Sequence, residues 1–178
     1  MDEFHEFKKI ARLNREIIVT EKIDGTNGLV HVAEDGTVRA GSRTRWITPE
    51  DDNFAFAAWV HANAESLRGL GPGYHYGEWW GMGIQRKYGL SERRFSLFNV
   101  SRWADDAARP SCCHVVPVLG RGVGFGCVAV AVDFLRANGS AAAPGFMQPE
   151  GVVAFHVAGN HLYKVTLEKD EERKGGRR

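Results

Sequence analysis

Lys22 stands between two strand-like runs, Glu16–Thr20 and Leu29–Ala33, in the octet Glu21-Lys22-Ile23-Asp24-Gly25-Thr26-Asn27-Gly28. The runs are apolar and β-branched and read as neighbouring strands. Asp24, Gly25, Asn27 and Gly28 accept tight turns and let a ligand approach the backbone. A lysine held at the lip of a sheet is placed to attack phosphorus through its amine, once that amine is neutral. A crowded, partly desolvated, cation-rich pocket favours the neutral form by lowering the amine pKa. Lys-x-Asp-Gly also fits a plain β-hairpin with a solvated lysine, so the decision rests on the rest of the chain.

Five further segments carry groups suited to such chemistry. Gly41-Ser42-Arg43-Thr44-Arg45 offers guanidinium groups, whose fork pairs with two phosphate oxygens at once. Tyr76-Gly77-Glu78-Trp79-Trp80-Gly81 sets a carboxylate among aromatics, on the open face of a half-buried strand. In Arg94-Phe95-Ser96-Leu97-Phe98-Asn99-Val100, Phe98 is either a core residue or an aromatic face on which a base stacks. Such stacking contributes about 1–3 kcal/mol per base with little regard for base identity. Glu150, in Pro149-Glu150-Gly151-Val152-Val153, stands at the mouth of an apolar strand, where an acid is costly unless solvated or bound to a cation. Leu162-Tyr163-Lys164-Val165-Thr166-Leu167-Glu168-Lys169 supplies lysines at the end of the chain's last hairpin.

With the lysine octet, these segments resemble, in order, motifs I, Ia, III, IIIa, IV and V of the covalent nucleotidyltransferases: ATP-dependent DNA ligases, RNA ligases and mRNA capping enzymes. The resemblance runs from Lys22 to about Lys169. It is closest to the RNA ligase family, because Asn27 stands where DNA ligases and capping enzymes usually carry arginine. It implies a lysyl-AMP phosphoramidate on Lys22 formed from ATP with Mg2+ or Mn2+. AMP then passes to an RNA 5′-phosphate, and a 3′-hydroxyl attacks that activated end.

The resemblance also implies roles for single residues. Glu21, Ile23 and Asn27 contact the nucleotide, and Arg43 contacts phosphate, with Arg45 as the alternative. Glu78 accepts hydrogen bonds from the ribose hydroxyls, and Phe98 stacks on adenine. Glu150 holds the divalent metal, largely through water. Lys164 reaches the α-phosphate. Two positions depart from the family pattern: Asn99 stands where aspartate is usual, and Thr166 where a second lysine is usual. Lys169 is the substitute for that lysine, although strand alternation puts it opposite Lys164 unless the strand ends or bends. Asp24 has two open roles, orienting Lys22 or holding the turn. A nucleotide- or RNA-end-binding module of the same fold without sealing activity, and a minimal DNA ligase, are the alternative functions.

Several elements must position these groups. Glu34-Asp35-Gly36 signals a hairpin, and Thr48-Pro49-Glu50-Asp51 signals a helix start. That helix is expected to run to about Leu70 and stop at Gly71-Pro72-Gly73, with Phe54, Ala58, Ala62 and Leu67 as its buried stripe. Strands are predicted at Tyr74–Trp80 and Phe95–Val100. The glycine-punctuated stretch from Gly81 to Gly89 between them reads as a mobile surface loop lying against RNA. A second helix is expected over Gly126–Asn138, with Cys127, Val130, Ala131, Phe134 and Leu135 at helical spacing and Gly139 as its cap. Val152–Val157 and Leu162–Leu167 form a last hairpin around Gly159-Asn160. The pattern is α+β: two antiparallel β-sheets with flanking helices enclosing a nucleotide pocket, as in a ligase-type nucleotidyltransferase or ATP-grasp-like domain.

At 178 residues, one domain with a sizeable core is expected over residues 1–170, with 171–178 a charged, frayed tail and no accessory domain. A missing accessory domain leaves room for a partner protein that grips the RNA ends. The acidic start lacks an apolar core, and the longest apolar stretch, Val123 to Leu135, is too short to span a bilayer, so a soluble cytoplasmic protein is expected. Cys112, Cys113 and Cys127 form no Cys-x-x-Cys pair and indicate neither a zinc site nor a disulfide framework. The net charge of +1 gives no global attraction to nucleic acid, so RNA binding falls to a local groove.

Overall fold

The computed structural model describes residues 3–7 and 9–168. Two sheets form the framework. The first has the order β10-β9-β1-β8 and is antiparallel throughout. It joins β1 (Glu16–Lys22), β8 (Val118–Val123), β9 (Gly151–His156) and β10 (His161–Thr166). The second joins β2 (Thr26–Val32), β3 (Val38–Gly41), β4 (Trp46–Ile47), β5 (Gly73–Gly81), β6 (Arg93–Leu97) and β7 (Cys113–Val115) in the order β4-β3-β2-β5-β6-β7. Its β6–β7 pair runs parallel, and the remaining pairs are antiparallel. The expected two-sheet α+β architecture is present, with one mixed sheet.

Alternation along each strand assigns the faces. Ile17 and Val19 of β1 pack with Val152 and Ala154 of β9 under α4 (Gly126–Asn138). Val30, Val32, Trp79, Phe95 and Leu97 pack under α1 (Phe56–Ala62) and α2 (Ala64–Leu67). A third cluster, including Ile18, Ile23, Trp80, Tyr88, Val100 and Val116, takes residues from both sheets and holds them together at the seam. The opposite faces of the same strands, carrying Lys22 and Glu78, border this seam. α3 (Val100–Trp103) follows β6 and is capped by Asn99, whose side chain accepts the Arg102 N–H at 3.0 Å. A cap is work that asparagine and aspartate do equally well, which gives the departure at Asn99 a structural role.

The first helix departs from expectation. Thr48 and Asp51 close a tight turn, and Asp51 pairs with Arg45. The helix begins at Phe56, where the Asp52 carboxylate accepts the N–H groups of Ala57 and Ala58 at 2.7 and 2.9 Å. Phe54 is held outside it: its φ is +50°, and its carbonyl accepts the Trp79 indole N–H and an Arg93 guanidinium N–H. Asn63 divides the remaining helical stretch. The buried side chains are therefore Phe56, Ala57, Val60 and Leu67, and of the expected stripe only Leu67 is among them.

α4 has the expected bounds, and the Gly139 N–H caps it on Leu135 O. Its buried stripe is Val128, Ala131, Val132 and Leu135, whereas Val130 and Phe134 face outward. An uncommonly apolar helix allows more than one stripe at helical spacing, and the sheet beneath it selects the one used. No helix among the described residues is long and apolar enough to cross a membrane. The stretch from Lys169 to Arg178 lies outside the described residues.

The observed stripe predicts how α4 responds to truncation. Leu135→Ala is expected to cost about 2–5 kcal/mol in urea unfolding, and Val130→Ala less than about 0.5 kcal/mol. The converse ranking would contradict this packing.

Candidate active site

Lys22 is the last residue of β1 and projects from the face that borders the seam, the same face as Ile18. Its Nζ donates to Glu150 Oε2 at 2.5 Å, a contact between residues 128 positions apart, with the two side chains 25% and 17% exposed. Register makes the contact: Lys22 pairs with Gly151, so the residue before β9 falls beside the lysine. Gly151 itself has φ +157°, and a Cβ there would lie 2.1 Å from Val165 O, so only glycine allows the close approach of β9 and β10 next to Glu150.

β5 brings Glu78 to the same place from the other sheet. Its Oε1 accepts the Gly25 N–H at 3.0 Å. Burial raises its pKa to about 7, and the Glu150 and Asp24 charges add to the rise, against the lowering effects of Lys22 and the Gly25 N–H. The strand β5 also explains Gly25, where a Cβ would meet Trp79 O at 2.4 Å. The octet's first glycine thus admits a neighbouring strand, where the sequence suggested room for a ligand.

Asn27, Glu78 and Ser96 face one another across β2, β5 and β6 in register. Phe98 follows two residues after Ser96, just beyond the end of β6, and its N–H donates to Tyr76 O at 3.0 Å. At 40% exposure it belongs to none of the core clusters, which removes the reading of Phe98 as a core residue. Lys164 sits on β10 opposite Val153, which in turn pairs with Thr20, so alternation puts Lys164 on the Lys22 side of that sheet. Thr166 lies in the row of Gly151 and Lys22. β10 ends at Thr166, and Lys169 lies outside the described residues.

The two arginines of the first loop separate. Arg45 is committed to Asp51 through both Nη atoms. Arg43 is exposed, and no hydrogen bond or ion pair engages it among the described residues. It lines a cavity of about 250 Å³ with Leu29, Trp46 and Tyr76.

Two residues expected to touch the nucleotide have side chains engaged elsewhere. Glu21 alternates to the far side of β1, where it is 1% exposed. It accepts the Ser140 hydroxyl at 2.6 Å and the N–H groups of Ala141 and Ala142 at 2.8 and 2.9 Å, and burial raises its pKa despite these donors. Ile23, 3% exposed, fills the seam cluster. Their side chains hold Lys22 from both sides and are turned away from Glu78 and Glu150.

Arg86 has a role that the sequence reading did not give it. The Gly81–Gly89 stretch is anchored, with Ile84 and Tyr88 at 0% and 2% exposure. Arg86 Nε donates to Asp24 Oδ2 at 3.1 Å and Nη1 to Gln148 O at 3.0 Å, and Nη2 lies 3.8 Å from Glu168. Tyr88 Oη accepts the Asp24 N–H at 2.8 Å. Asp24 therefore holds the turn after Lys22 to the loop that also braces Glu150. The local sequence marks Arg86 only as a basic neighbour of Lys87, because its partners lie more than sixty residues away on both sides.

A profile described as RNA ligase matches residues 15–165. The chain belongs to the RNA ligase family. Comparison with curated protein sequences gave no match. Solved structures of Naegleria gruberi RNA ligase variants share the fold. One with ATP and Mn has a TM-score of 0.65 and 22% identity, covering 90% of this chain and 53% of that one. Another with AMP and Mn has a TM-score of 0.62 and 20% identity, with the same coverage. The chain thus spans about half the length of the ligase it matches. The profile match gives the family, and these structures share the two-sheet fold.

Glu78 makes this site pH-sensitive in a defined direction. Its carboxyl binds a proton more tightly folded, near pH 7, than at its ordinary 4.5. Its contribution to stability is whole below the lower value and is lost as pH rises through the upper one. Glu78→Gln carries no charge to desolvate. Relative to the parent protein it is expected to gain on the order of 1–3 kcal/mol between about pH 5 and about pH 8 in urea unfolding. A pH-independent difference would show that burial does not govern this carboxyl.

Proposed function

We propose that this chain is the nucleotidyl-transfer unit of an ATP-dependent RNA ligase, with Lys22 as the nucleophile that becomes lysyl-AMP. The observation that carries the reading is the convergence of Lys22 from β1, Glu150 just before β9 and Glu78 from β5 onto one partly buried seam. The neighbourhood of Phe98 supplies an exposed aromatic face on the same side of the sheet as Glu78.

In this reading Lys22 Nζ attacks the α-phosphorus of ATP, a new N–P bond forms, the bond to pyrophosphate breaks, and the ammonium loses two protons to water, keeping one N–H. Glu150 fixes the direction of the attacking nitrogen through its 2.5 Å hydrogen bond. Phe98 stacks on the adenine. Glu78 serves the ribose hydroxyls as an acceptor when ionised. Lys164 and Arg43 offer positive charge to the phosphates, which gain negative density during attack.

Among the described residues no cluster of three or more His, Cys, Asp or Glu side chains is arranged to hold a metal. One carboxylate, Glu150, at the mouth of the pocket fits Mg2+ or Mn2+ held partly by water and nucleotide phosphate. Such an ion would supply Lewis-acid stabilisation of the phosphoryl oxygens. AMP then passes to an RNA 5′-phosphate, and a 3′-hydroxyl displaces it to seal the ends.

The test is incubation with α-labelled ATP and magnesium, then a denaturing gel. Label is expected to remain on the protein in base and leave in acid, as a phosphoramidate does, and Lys22→Ala is expected to abolish it. Phe98→Ala is expected to raise the ATP concentration needed for half-maximal labelling by about fivefold or more, since stacking contributes about 1–3 kcal/mol. Full labelling of Lys22→Ala contradicts the assignment. Labelling of the parent protein with no sealing of RNA ends would instead favour an end-binding module.

A further inference from the structure

Beyond the proposed nucleotide pocket, the same face of the six-stranded sheet continues as an aromatic and basic surface. Register sorts it into rows. Asn27, Glu78 and Ser96 form the first row. The second holds Trp46, Gly41, Leu29 and Tyr76, with Phe98 at its end through the Phe98 N–H to Tyr76 O hydrogen bond. Arg39, His31 and Tyr74 form the third. Successive rows are two residues apart, roughly 7 Å along the strands.

The second and third rows contain no carboxylate. Tyr74 and Tyr76 are 58% and 57% exposed, and Trp46 40%. The Arg39 guanidinium lies 4.3 Å from the centre of the Trp46 ring, and the His31 ring is 4.4 Å from Tyr74 and 5.7 Å from Trp46. These contacts hold the rings on the face of the sheet. Arg43 opens into the adjoining cavity beside Trp46 and Tyr76.

We propose that the second and third rows form a track for an unpaired RNA strand leading out of the nucleotide pocket, its bases stacking on Tyr76, Tyr74 and Trp46 and its phosphates meeting Arg43 and Arg39. The identity of the strand rests on the RNA ligase reading given above. Two observations select an unpaired strand. Exposed rings on a sheet face take the π-faces of splayed bases, which a duplex keeps stacked internally. Arg39 against the Trp46 ring and Arg43 in the adjoining cavity set positive charge beside the rings, and no carboxylate stands in these rows to repel a polyanion. The track includes the row that ends at Phe98 and adjoins the row of Glu78, so a strand whose end is being activated would cross it.

The test measures fluorescence anisotropy of a labelled short oligouridylate with the full chain at low salt, beside a perfect RNA duplex of equal length. Single-strand binding is expected to exceed duplex binding. Tyr74→Ala and Trp46→Ala are each expected to weaken it about fivefold or more while Tyr74→Phe retains it. Labelling by ATP is expected to stay unchanged in all three variants. If Trp46→Ala does not fold, Tyr74→Ala decides, because that side chain is mostly exposed. Parental affinity in Tyr74→Ala, or tighter binding of duplex, overturns the track. So does concentration-dependent self-association lost in Tyr74→Ala without any change in RNA binding. Absence of ATP labelling in the parent protein counts against the ligase reading alone, and absence of single-strand binding in a protein that labels counts against the track alone.

Discussion

The structure turns on one hydrogen-bonded ion pair, Lys22 with Glu150, set where two sheets meet. Neither charge is fully exposed, and each depends on the other and on its surroundings for compensation. The pair lies at the end of β1 and the start of β9, so its geometry inherits the register of that ladder. Glu78 approaches from the second sheet and shares the same field, and its burial raises its pKa. A partly dry seam strengthens every polar interaction inside it, which suits a site for charge-separating chemistry.

Around that pair the fold places supports that do not themselves contact it. Glu21 secures the far side of β1 to the Ser140–Ala142 loop, and Ile23 fills the seam cluster. Arg86 joins the Asp24 turn, the approach to Glu150 at Gln148, and Glu168 after β10. One guanidinium thereby ties together the segments bearing the lysine, its carboxylate partner and the end of the last hairpin. Its planar fork of donors allows this threefold engagement in a way that a lysine's point charge does not.

Much of this was legible in the sequence, and the limits have physical causes. The strands around Lys22, the α4 bounds with Gly139 and the last hairpin followed from patterning and turn residues. Lys22, Glu78, Glu150 and Phe98 were singled out by type, spacing and resemblance, and the fold brings Lys22, Glu78 and Glu150 together. The first helix was misplaced because Thr48-Pro49-Glu50-Asp51 satisfies local capping rules, whereas the long-range capture of Phe54 O by Trp79 and Arg93 decides where the helix starts. The face of α4 was misread because periodicity cannot choose between two apolar stripes. Glu21 and Ile23 flank the lysine in sequence, but strand alternation and packing turn their side chains away. The bracing role of Arg86 was not legible because its partners are all distant in sequence.

The central claim is that Lys22, held by Glu150, is the amine that bonds to phosphorus. The most direct measurement is intact-protein mass spectrometry after incubation with ATP and magnesium, followed by peptide mapping under neutral or basic conditions that preserve a phosphoramidate. The account predicts a mass gain of a single AMP, located on the peptide containing Lys22. AMP mapped to Lys164, Lys87 or any other residue, or no adduct on a folded protein, would contradict it.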